Sequence, residues 1–276
     1  MTDEAACERF DRLADRFASV VESVAGLDEP AFVRGDWAER AAALVGTLAP
    51  VPPRDFLRRP EILFQMFVGE KYLEPEAPYV RSRLGTAAAE LLVEDAVGAP
   101  PSVANTVHHL HHLLRYEELS RRRLAEAATI VEWGAGYGNL AKLVVRRHGG
   151  EPTLVLLDLP VFSALQWLYL SSVFGEERVV LHTSSPAEPV PGRINVVPIG
   201  LAADLFVDAD LFISTWALNE STAAAQAFVL GRHWFGAEAL LLGMHHGDPF
   251  EPAVLAAGAT ATPLGAWMPG QHYFVR

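Results

Sequence analysis

The eleven-residue stretch IVEWGAGYGNL, residues 130–140, constrains the fold more than any other part of the chain. An apolar run that contains one acid is followed by three glycines at alternate positions, and a helical pattern begins at Asn139. Gly134, Gly136 and Gly138 allow a sharp backbone turn and close approach to a ligand without Cβ clashes. The N–H groups at the start of the next helix face that turn. This pattern is typical of a site for a nucleotide-like ligand.

The glycine spacing and Glu132 argue against a nicotinamide dinucleotide. Such a site has the pattern G-x-G-x-x-G, whose third glycine would come one residue after Gly138. A carboxylate two residues before the first glycine would also repel a pyrophosphate, whereas it suits a cationic ligand. A nicotinamide-dependent oxidoreductase is therefore a rival hypothesis that the sequence disfavours.

Three segments together resemble the class I S-adenosylmethionine-dependent methyltransferases. The pattern Glu-x-Gly-x-Gly-x-Gly at residues 132–138 is similar to motif I of that family. The segment LLDLP at 156–160 is similar to its second strand with the ribose-binding acid, and DLFISTWALNE at 210–220 to its fourth strand and active-site loop. With Gln166 and the Tyr-Leu pair at 169–170, the set is most similar to bacterial sugar O-methyltransferases of natural-product pathways.

The resemblance implies S-adenosylmethionine as cofactor and S-adenosylhomocysteine as product. Asp158, at the end of the second strand, would bind the two ribose hydroxyls, with capping of the next helix as the alternative. Glu132 would orient the glycine loop and the methionine ammonium, or be an ordinary acid at a strand end. Leu201, after the third strand, would pack on the adenine. The implied cofactor-binding residues are Glu132, Gly134, Ala135, Gly136, Gly138, Asn139, Asp158, Leu159, Leu201, Thr215 and Trp216.

From residue 129 onward, strand and helix patterns alternate, which predicts an α/β fold with a mostly parallel, Rossmann-like sheet. The predicted strands are Thr129–Trp133, Thr153–Asp158, Ile194–Pro198, Leu211–Thr215 and Ala239–Gly243. The predicted helices are Asn139–His148, Phe162–Phe174, Thr222–Phe235 and Pro252–Ala257. Thr260–Trp267 and His272–Arg276 flank a Met-Pro-Gly-Gln turn and predict a terminal antiparallel hairpin, which the resemblance also implies. Val179–His182 is left unassigned.

The first hundred residues carry helical patterns only. The predicted helices are Phe10–Val24, Ala31–Leu48, Phe56–Tyr72 and Tyr79–Val97. Ser102 is the expected N-cap of a further helix that reaches about Arg115. We therefore expect a helical N-terminal domain, residues 1–115, that contributes to the acceptor site, and a Rossmann-like domain, residues 116–276.

One apolar run, Leu154 to Phe174, is long enough to suggest a membrane span. Asp158, Pro160 and Gln166 interrupt it, and the Asp-Leu-Pro sequence is typical of a strand-to-helix turn. The run is therefore expected to form a buried strand and a packed helix, and no membrane partner is expected.

Charge and cysteine content limit the partners and the compartment. The net charge of −12 leaves no basic face for nucleic acid, and the basic cluster at 121–123 is best explained as a solvated surface. Cys7 is the single cysteine, which excludes a disulfide framework and fits a reducing cytoplasm. The acidic N-terminal sequence is not a secretory signal.

The general base is the least determined part of the sequence. In similar O-methyltransferases a Trp-x-Leu-His stretch often carries it, but here Asn219 stands at the histidine position, and an amide cannot act as a base. Glu220 is one candidate, although it is also a suitable first-turn acid for the next helix. His245 and His246, after the fifth strand, are the others. A metal that acidifies the hydroxyl is a further option, although no metal ligands are assigned.

A histidine cluster lies on the helix before the glycine motif. His108 and His112 share a face at i, i+4, a spacing that occurs in metal sites, but no acid lies between them. The favoured interpretation is a helix with polar histidines, His109 and His111 included, on one side and leucines on the other. Because it precedes the glycine motif, this helix is also positioned to line a substrate cleft.

The sequence thus predicts methyl transfer from S-adenosylmethionine to a hydroxyl of a small molecule, a sugar or a sugar-bearing natural product. The acceptor oxygen would displace the sulfonium methyl in line, so the protein mainly has to position two reactants. The alternatives are an N-methyltransferase, which needs a weaker base, and a catalytically silent methyltransferase fold that binds a partner. The oligomeric state is open, with a homodimer as one option.

Overall fold

A computed structural model describes residues 4–48, 51, 52, 56, 72–86, 88, 89 and 103–276. The N-terminal helices of the described part are α1 (Glu4–Ala14), α2 (Phe17–Val24), α3 (Gly35–Leu48), α4 (Leu73–Leu84) and α5 (Val103–Ser120). These described N-terminal residues contain no strand, as the helical patterns predicted.

The helix boundaries in this part differ from the predicted ones for local reasons. The predicted helix Phe10–Val24 is two helices, because the Arg16 amide bonds to the Leu13 carbonyl (3.1 Å), three residues back, and so tightens the turn. The helix α4 starts before Tyr79 and ends at Leu84, because Gly85 has a φ of +78°. Most of the predicted helix 56–72, the end of 79–97 and the Ser102 cap lie outside the described residues.

The C-terminal part forms an eight-stranded sheet in the order β3-β4-β2-β1-β5-β6-β8-β7. The strands are β1 (Thr129–Trp133), β2 (Thr153–Asp158), β3 (Val179–Leu181), β4 (Ile194–Pro198), β5 (Leu211–Thr215), β6 (Ala239–His245), β7 (Thr260–Pro263) and β8 (Gln271–Val275). All neighbours pair in parallel except β8, which is antiparallel to both β6 and β7. The predicted mostly parallel α/β sheet with a terminal antiparallel hairpin is confirmed, and the unassigned segment 179–182 contributes the edge strand β3.

The helices that connect the strands are α6 (Asn139–His148), α7 (Pro160–Phe174), α8 (Ala223–Gly231) and α9 (Glu251–Ala256). The predicted helix Thr222–Phe235 is too long, because residues 233–235, just after the C-cap Arg232, have φ between +50° and +59° and leave the helical conformation. Thr222 is the N-cap and accepts a hydrogen bond from the Ala225 amide (3.2 Å).

The helix α7 is buried along almost its whole length, from residue 161 to residue 172. It packs on β2 and β4 on one side, and the N-terminal helices α1, α2 and α3 also pack against it. This placement explains the apolar run at 154–174 as a strand and an enclosed helix. Among the described residues, no helix has the length and apolar character needed to cross a membrane.

The sheet topology determines where a ligand can bind. After β1 the chain adds β2, β3 and β4 on one side of β1, then crosses to place β5 on the other side. In open α/β sheets, ligands bind at the carboxyl ends of the strands at such a reversal. The loops that follow β1 and β5 meet at this point, and both carry sequence-predicted site residues.

Candidate functional site

The loop after β1 has the backbone conformation that its glycines predict. Gly134, Gly136 and Gly138 have φ of +78°, +59° and +95°, a region that side-chain-bearing residues rarely adopt. A Cβ on Gly134 would lie 2.0 Å from the Cβ of Ala217 in the loop after β5. Glycine at this position therefore allows the two loops to touch at the switch point of the sheet.

The Asp158 carboxylate holds the glycine loop in place. Its Oδ2 accepts hydrogen bonds from the Gly136 amide (2.9 Å) and from Nε2 of Gln166 (2.9 Å), and its Oδ1 accepts one from the Leu159 amide (2.8 Å). Nε2 of Gln166 also donates to the Gly136 carbonyl (2.9 Å). Both carboxylate oxygens thus have protein partners, and a two-pronged contact to ribose would require part of this network to open.

Two acidic residues, Glu132 and Asp158, lie close to the glycine loop. Glu132 is only 4% exposed, and burial, with a smaller effect from the charge of Asp158, raises its pKa to about 8. Burial also raises the pKa of Asp158 to about 7, against the opposing effect of its hydrogen bonds. A cationic ligand would favour the ionised form of both groups, whereas an anionic ligand would meet two carboxyl groups.

These residues line a cavity of about 300 Å³, the lower end of the usual range for small-molecule sites. Its walls come from the loops after β1, β2 and β5, the start of the turn after β4, the helix α5, and the segment 32–37. Aromatic side chains are frequent in these walls. They are Phe32, Trp37, Trp133, Tyr137, Phe162 and Trp216.

The segment Leu27–Trp37, which we call the strap, crosses the carboxyl edge of the sheet. At one end the Leu27 carbonyl accepts a hydrogen bond from the Gly200 amide (2.9 Å). Further along, the Thr222 hydroxyl donates to the Ala31 carbonyl (2.5 Å). Phe32 packs against Trp133 with ring centroids 6.1 Å apart. The strap therefore closes one side of the cavity. The predicted helix Ala31–Leu48 covers most of the strap, so the strap is not among the features predicted from the sequence.

Three histidines of α5, His108, His109 and His112, line the opposite wall. Nδ1 of His108 lies 2.7 Å from Oε1 of the fully buried Glu76, and Nδ1 of His112 lies 2.6 Å from the Tyr273 hydroxyl. Burial holds the pKa of His112 well below its usual value, and the charge of the neighbouring histidines adds to this effect. The prediction of polar histidines on one side of the helix and leucines on the other describes α5 only in part, because His108, His111 and His112 are all buried.

Trp216 connects the histidine wall to the β5 loop. It adopts a φ of +67°, an unusual conformation for a side-chain-bearing residue. Its amide donates to the Gly243 carbonyl (2.7 Å), and its indole donates to Oε1 of Gln271 (2.6 Å). Its ring stacks on His108 at a centroid distance of 5.7 Å. Backbone strain of this kind is often found at ligand sites, where the surrounding contacts compensate for its cost.

The structure brings most of the sequence-predicted site residues to the cavity. Those that line it are Glu132, Gly134, Ala135, Gly136, Asp158, Leu159, Thr215, Trp216 and Glu220. Burial raises the pKa of Glu220, while a hydrogen bond from Trp37 and the charges of Arg34 and Arg40 act in the opposite direction.

Six predicted residues do not line the cavity. Gly138 is the N-cap of α6, and the buried Asn139 contacts Nδ1 of His109 (2.9 Å). Leu201 is part of the core, and Ile199 takes the lining position in its turn. Asn219 is also outside the lining.

The remaining two are His245 and His246, which are exposed. They contact Gln271 and Glu251, respectively. The reason is that β6 continues its pairing with β8 as far as His245, which carries both histidines past the cavity.

Comparisons with known proteins give similarity in fold at low sequence identity. No family model matches the chain, and no curated protein does. Similar solved structures include the mitomycin 7-O-methyltransferase MmcR, with 15% identity over 95% of this chain and 73% of that chain and a TM-score of 0.44. An O-methyltransferase family protein from Burkholderia thailandensis has 14% identity, coverage of 87% and 72%, and a TM-score of 0.41. Human N-acetylserotonin methyltransferase, in complex with S-adenosylmethionine, has 13% identity, coverage of 88% and 67%, and a TM-score of 0.39.

Proposed function

We propose that this protein transfers a methyl group from S-adenosylmethionine to a hydroxyl group of a small molecule. The observation that carries the proposal is the contact of the glycine loop with the β5 loop above Glu132 and Asp158, in one cavity at the switch point of the sheet. The glycines allow a ligand to approach the backbone, and the acids favour a ligand with positive charge.

The residues present fit this cofactor in charge and in shape. S-adenosylmethionine carries an ammonium group and ribose hydroxyls; Glu132 would offset the positive charge, and Asp158 would accept hydrogen bonds from the ribose. Gly134 and Gly136 leave room beside the backbone, and Leu159 and Ile199 are apolar lining residues suited to a purine. When bound, the cofactor supplies a methyl group already activated by its positive sulfur.

The protein's own contribution is then to position the reactants and to exclude water. Asp158 and Gln166 hold the glycine loop in its turn, and the strap and α5 close the cavity from two sides. Holding two reactants in the correct geometry accounts for a large share of the rate enhancement in reactions of this type.

The acceptor is proposed to bind between the helical part and the sheet. The described N-terminal segments before the sheet supply Phe32, Trp37 and the three histidines of α5 to the cavity. A sugar hydroxyl, or a sugar attached to a natural product, is the acceptor that the sequence resemblance supports. The aromatic lining is compatible with the apolar face of such a ring.

The direct test is ligand-dependent stability of the full chain. Thermal unfolding and calorimetry are measured with S-adenosylmethionine, S-adenosylhomocysteine and NAD in parallel. A ligand at a hundredfold excess over its dissociation constant adds about 2.7 kcal/mol to the free energy of unfolding. We expect this from the two S-adenosyl compounds and not from NAD. Stabilisation by NAD alone, or by none of the three, would contradict the proposal.

A further inference from the structure

One imidazole in the cavity wall has a carboxylate on one nitrogen and no partner on the other. Nδ1 of His108 lies 2.7 and 2.9 Å from the two oxygens of Glu76. Nε2 of His108 is buried and has no hydrogen-bond partner among the described residues. A buried polar atom without a partner is unfavourable, so a ligand group that hydrogen-bonds to it would stabilise the complex.

The environment of Glu76 determines which nitrogen carries the proton. Glu76 is fully buried, and its Oε1 also accepts a hydrogen bond from the indole of Trp267 (3.1 Å), which can only donate. A carboxylate only accepts, so a neutral imidazole in this position donates from Nδ1 to Glu76. In that tautomer the Nε2 lone pair has no donor among the described residues, and His108 is one of the residues that line the cavity.

The ring of His108 is held in one orientation by its neighbours. The ring of Tyr72 stacks on it at 6.2 Å and that of Trp216 at 5.7 Å, with interplanar angles of 29° and 24°. The ring of His112 meets it edge-on at 4.1 Å. His112 also has a buried Nε2 without a partner among the described residues, but its Nδ1 contacts the Tyr273 hydroxyl and not a carboxylate.

The geometry points to His108 as the general base that takes the proton from the acceptor hydroxyl, with Glu76 as the residue that positions it. This inference rests on the proposed methyl transfer. The acceptor oxygen forms a bond to the methyl carbon of the sulfonium donor, and the carbon–sulfur bond breaks with both electrons going to sulfur. The hydroxyl proton moves to Nε2 of His108, is stabilised as imidazolium by Glu76, and passes to solvent when the product leaves.

This assignment accounts for the absence of a histidine at Asn219. The base comes from α5, before the glycine motif, and not from the loop after β5. The two sources are in contact, because Trp216 of the β5 loop stacks on His108. A base in the N-terminal helical part also gives that part a direct chemical role.

The first test is the protonation state of His108, measured by nitrogen NMR of the full chain labelled in its histidines. We expect the Nδ1-protonated form in the wild type and loss of this preference in Glu76→Leu, which leaves no acceptor at that position for the Nδ1–H group. A proton on Nε2 in the neutral wild-type imidazole would overturn the assignment, because that nitrogen could then accept nothing. This measurement needs no acceptor, so it can refute the assignment even if no acceptor is found.

The second test is methyl transfer from radiolabelled S-adenosylmethionine to a panel of methyl glycosides and phenols. His108→Gln should lower kcat by about 10²- to 10⁴-fold, the usual contribution of a general base, and leave cofactor affinity unchanged. His111→Gln is the matched control, because His111 is on the same helix and equally buried but does not line the cavity. Equal kcat values for the two variants would overturn the assignment. If S-adenosylmethionine does not bind the wild type, the proposed function fails independently of His108.

Discussion

Replacement of Glu132 by Gln tests the central electrostatic feature of the site. The side chain is 4% exposed, and burial together with Asp158 raises its pKa from 4.5 to about 8. In the unfolded chain the same group has its ordinary pKa. Between these two values the folded protein keeps a proton that the unfolded chain has lost, so this group reduces stability as the pH rises. The stability that the protonated Glu132 contributes is fully present below the unfolded-state pKa of 4.5. It is lost as the pH rises through the folded-state pKa of about 8.

The size of the effect follows from the width of this pH range. Each pH unit reduces the free energy of unfolding by about 1.4 kcal/mol, so Glu132 alone accounts for roughly 3–5 kcal/mol between about pH 5 and about pH 8. Glutamine has nearly the same shape and no proton to lose. The difference in free energy of unfolding between Glu132→Gln and the wild type should therefore grow in favour of the variant over this range.

Urea unfolding followed by tryptophan fluorescence, at several pH values and without ligand, measures this difference. Taking the difference between variant and wild type removes the contributions of groups that do not interact with Glu132, whereas the contribution of Asp158 cancels only in part because the two acids are coupled. Glu8→Gln is the control for the substitution itself, because Glu8 is exposed on α1. A constant difference for Glu132→Gln would show that Glu132 is ionised throughout, and would refute the argument.

Three further substitutions test the loops around the cavity. Gly134→Ala should reduce the free energy of unfolding by about 1–3 kcal/mol more than Gly247→Ala in urea unfolding, because both have φ near +78° but only the first meets a side chain. Equal losses would contradict the close contact of the two loops. Asp158→Ala should abolish the calorimetric signal of S-adenosylmethionine. Asp158→Asn keeps an acceptor oxygen for the glycine loop and should retain part of the signal. Normal binding by Asp158→Ala would exclude a role of Asp158 in cofactor binding. Gly200→Ala places a Cβ 2.6 Å from the Leu27 backbone, so proteases should cut the strap faster, and unchanged cleavage would argue against its anchoring.

The sheet and the glycine loop were predictable because their signals are local. The bounds of β1, β2, β4, β5 and α6 agree with the predicted segments, since apolar runs, turns and caps lie within a few residues of one another. The glycine loop is encoded in the same way. Its conformation depends on positive φ values that glycine adopts at little cost, and on an acid at the end of the next strand.

The rest of the site depends on contacts between distant parts of the chain. The Thr222 hydroxyl bonds to the Ala31 carbonyl across 191 positions, and Glu76 lies 32 positions before His108. No periodic pattern in the sequence indicates which distant residues form such pairs. The sequence predicts that His245 lies beside the fifth predicted strand. It does not show that this strand pairs with the C-terminal strand β8 as far as His245, which carries the side chain beyond the cavity. The catalytic candidates were therefore harder to predict than the cofactor loop.

The enclosed position of α7 has a consequence for how the chain folds. The helices α1, α2 and α3 end by residue 48, yet the helix they cover begins at Pro160. During synthesis more than a hundred further residues must therefore be added before the apolar faces of these helices can be covered. Contacts of such long sequence separation slow folding and leave early segments open to association with other chains. We therefore expect refolding to be slow and concentration-sensitive, and the N-terminal helices expressed alone to aggregate.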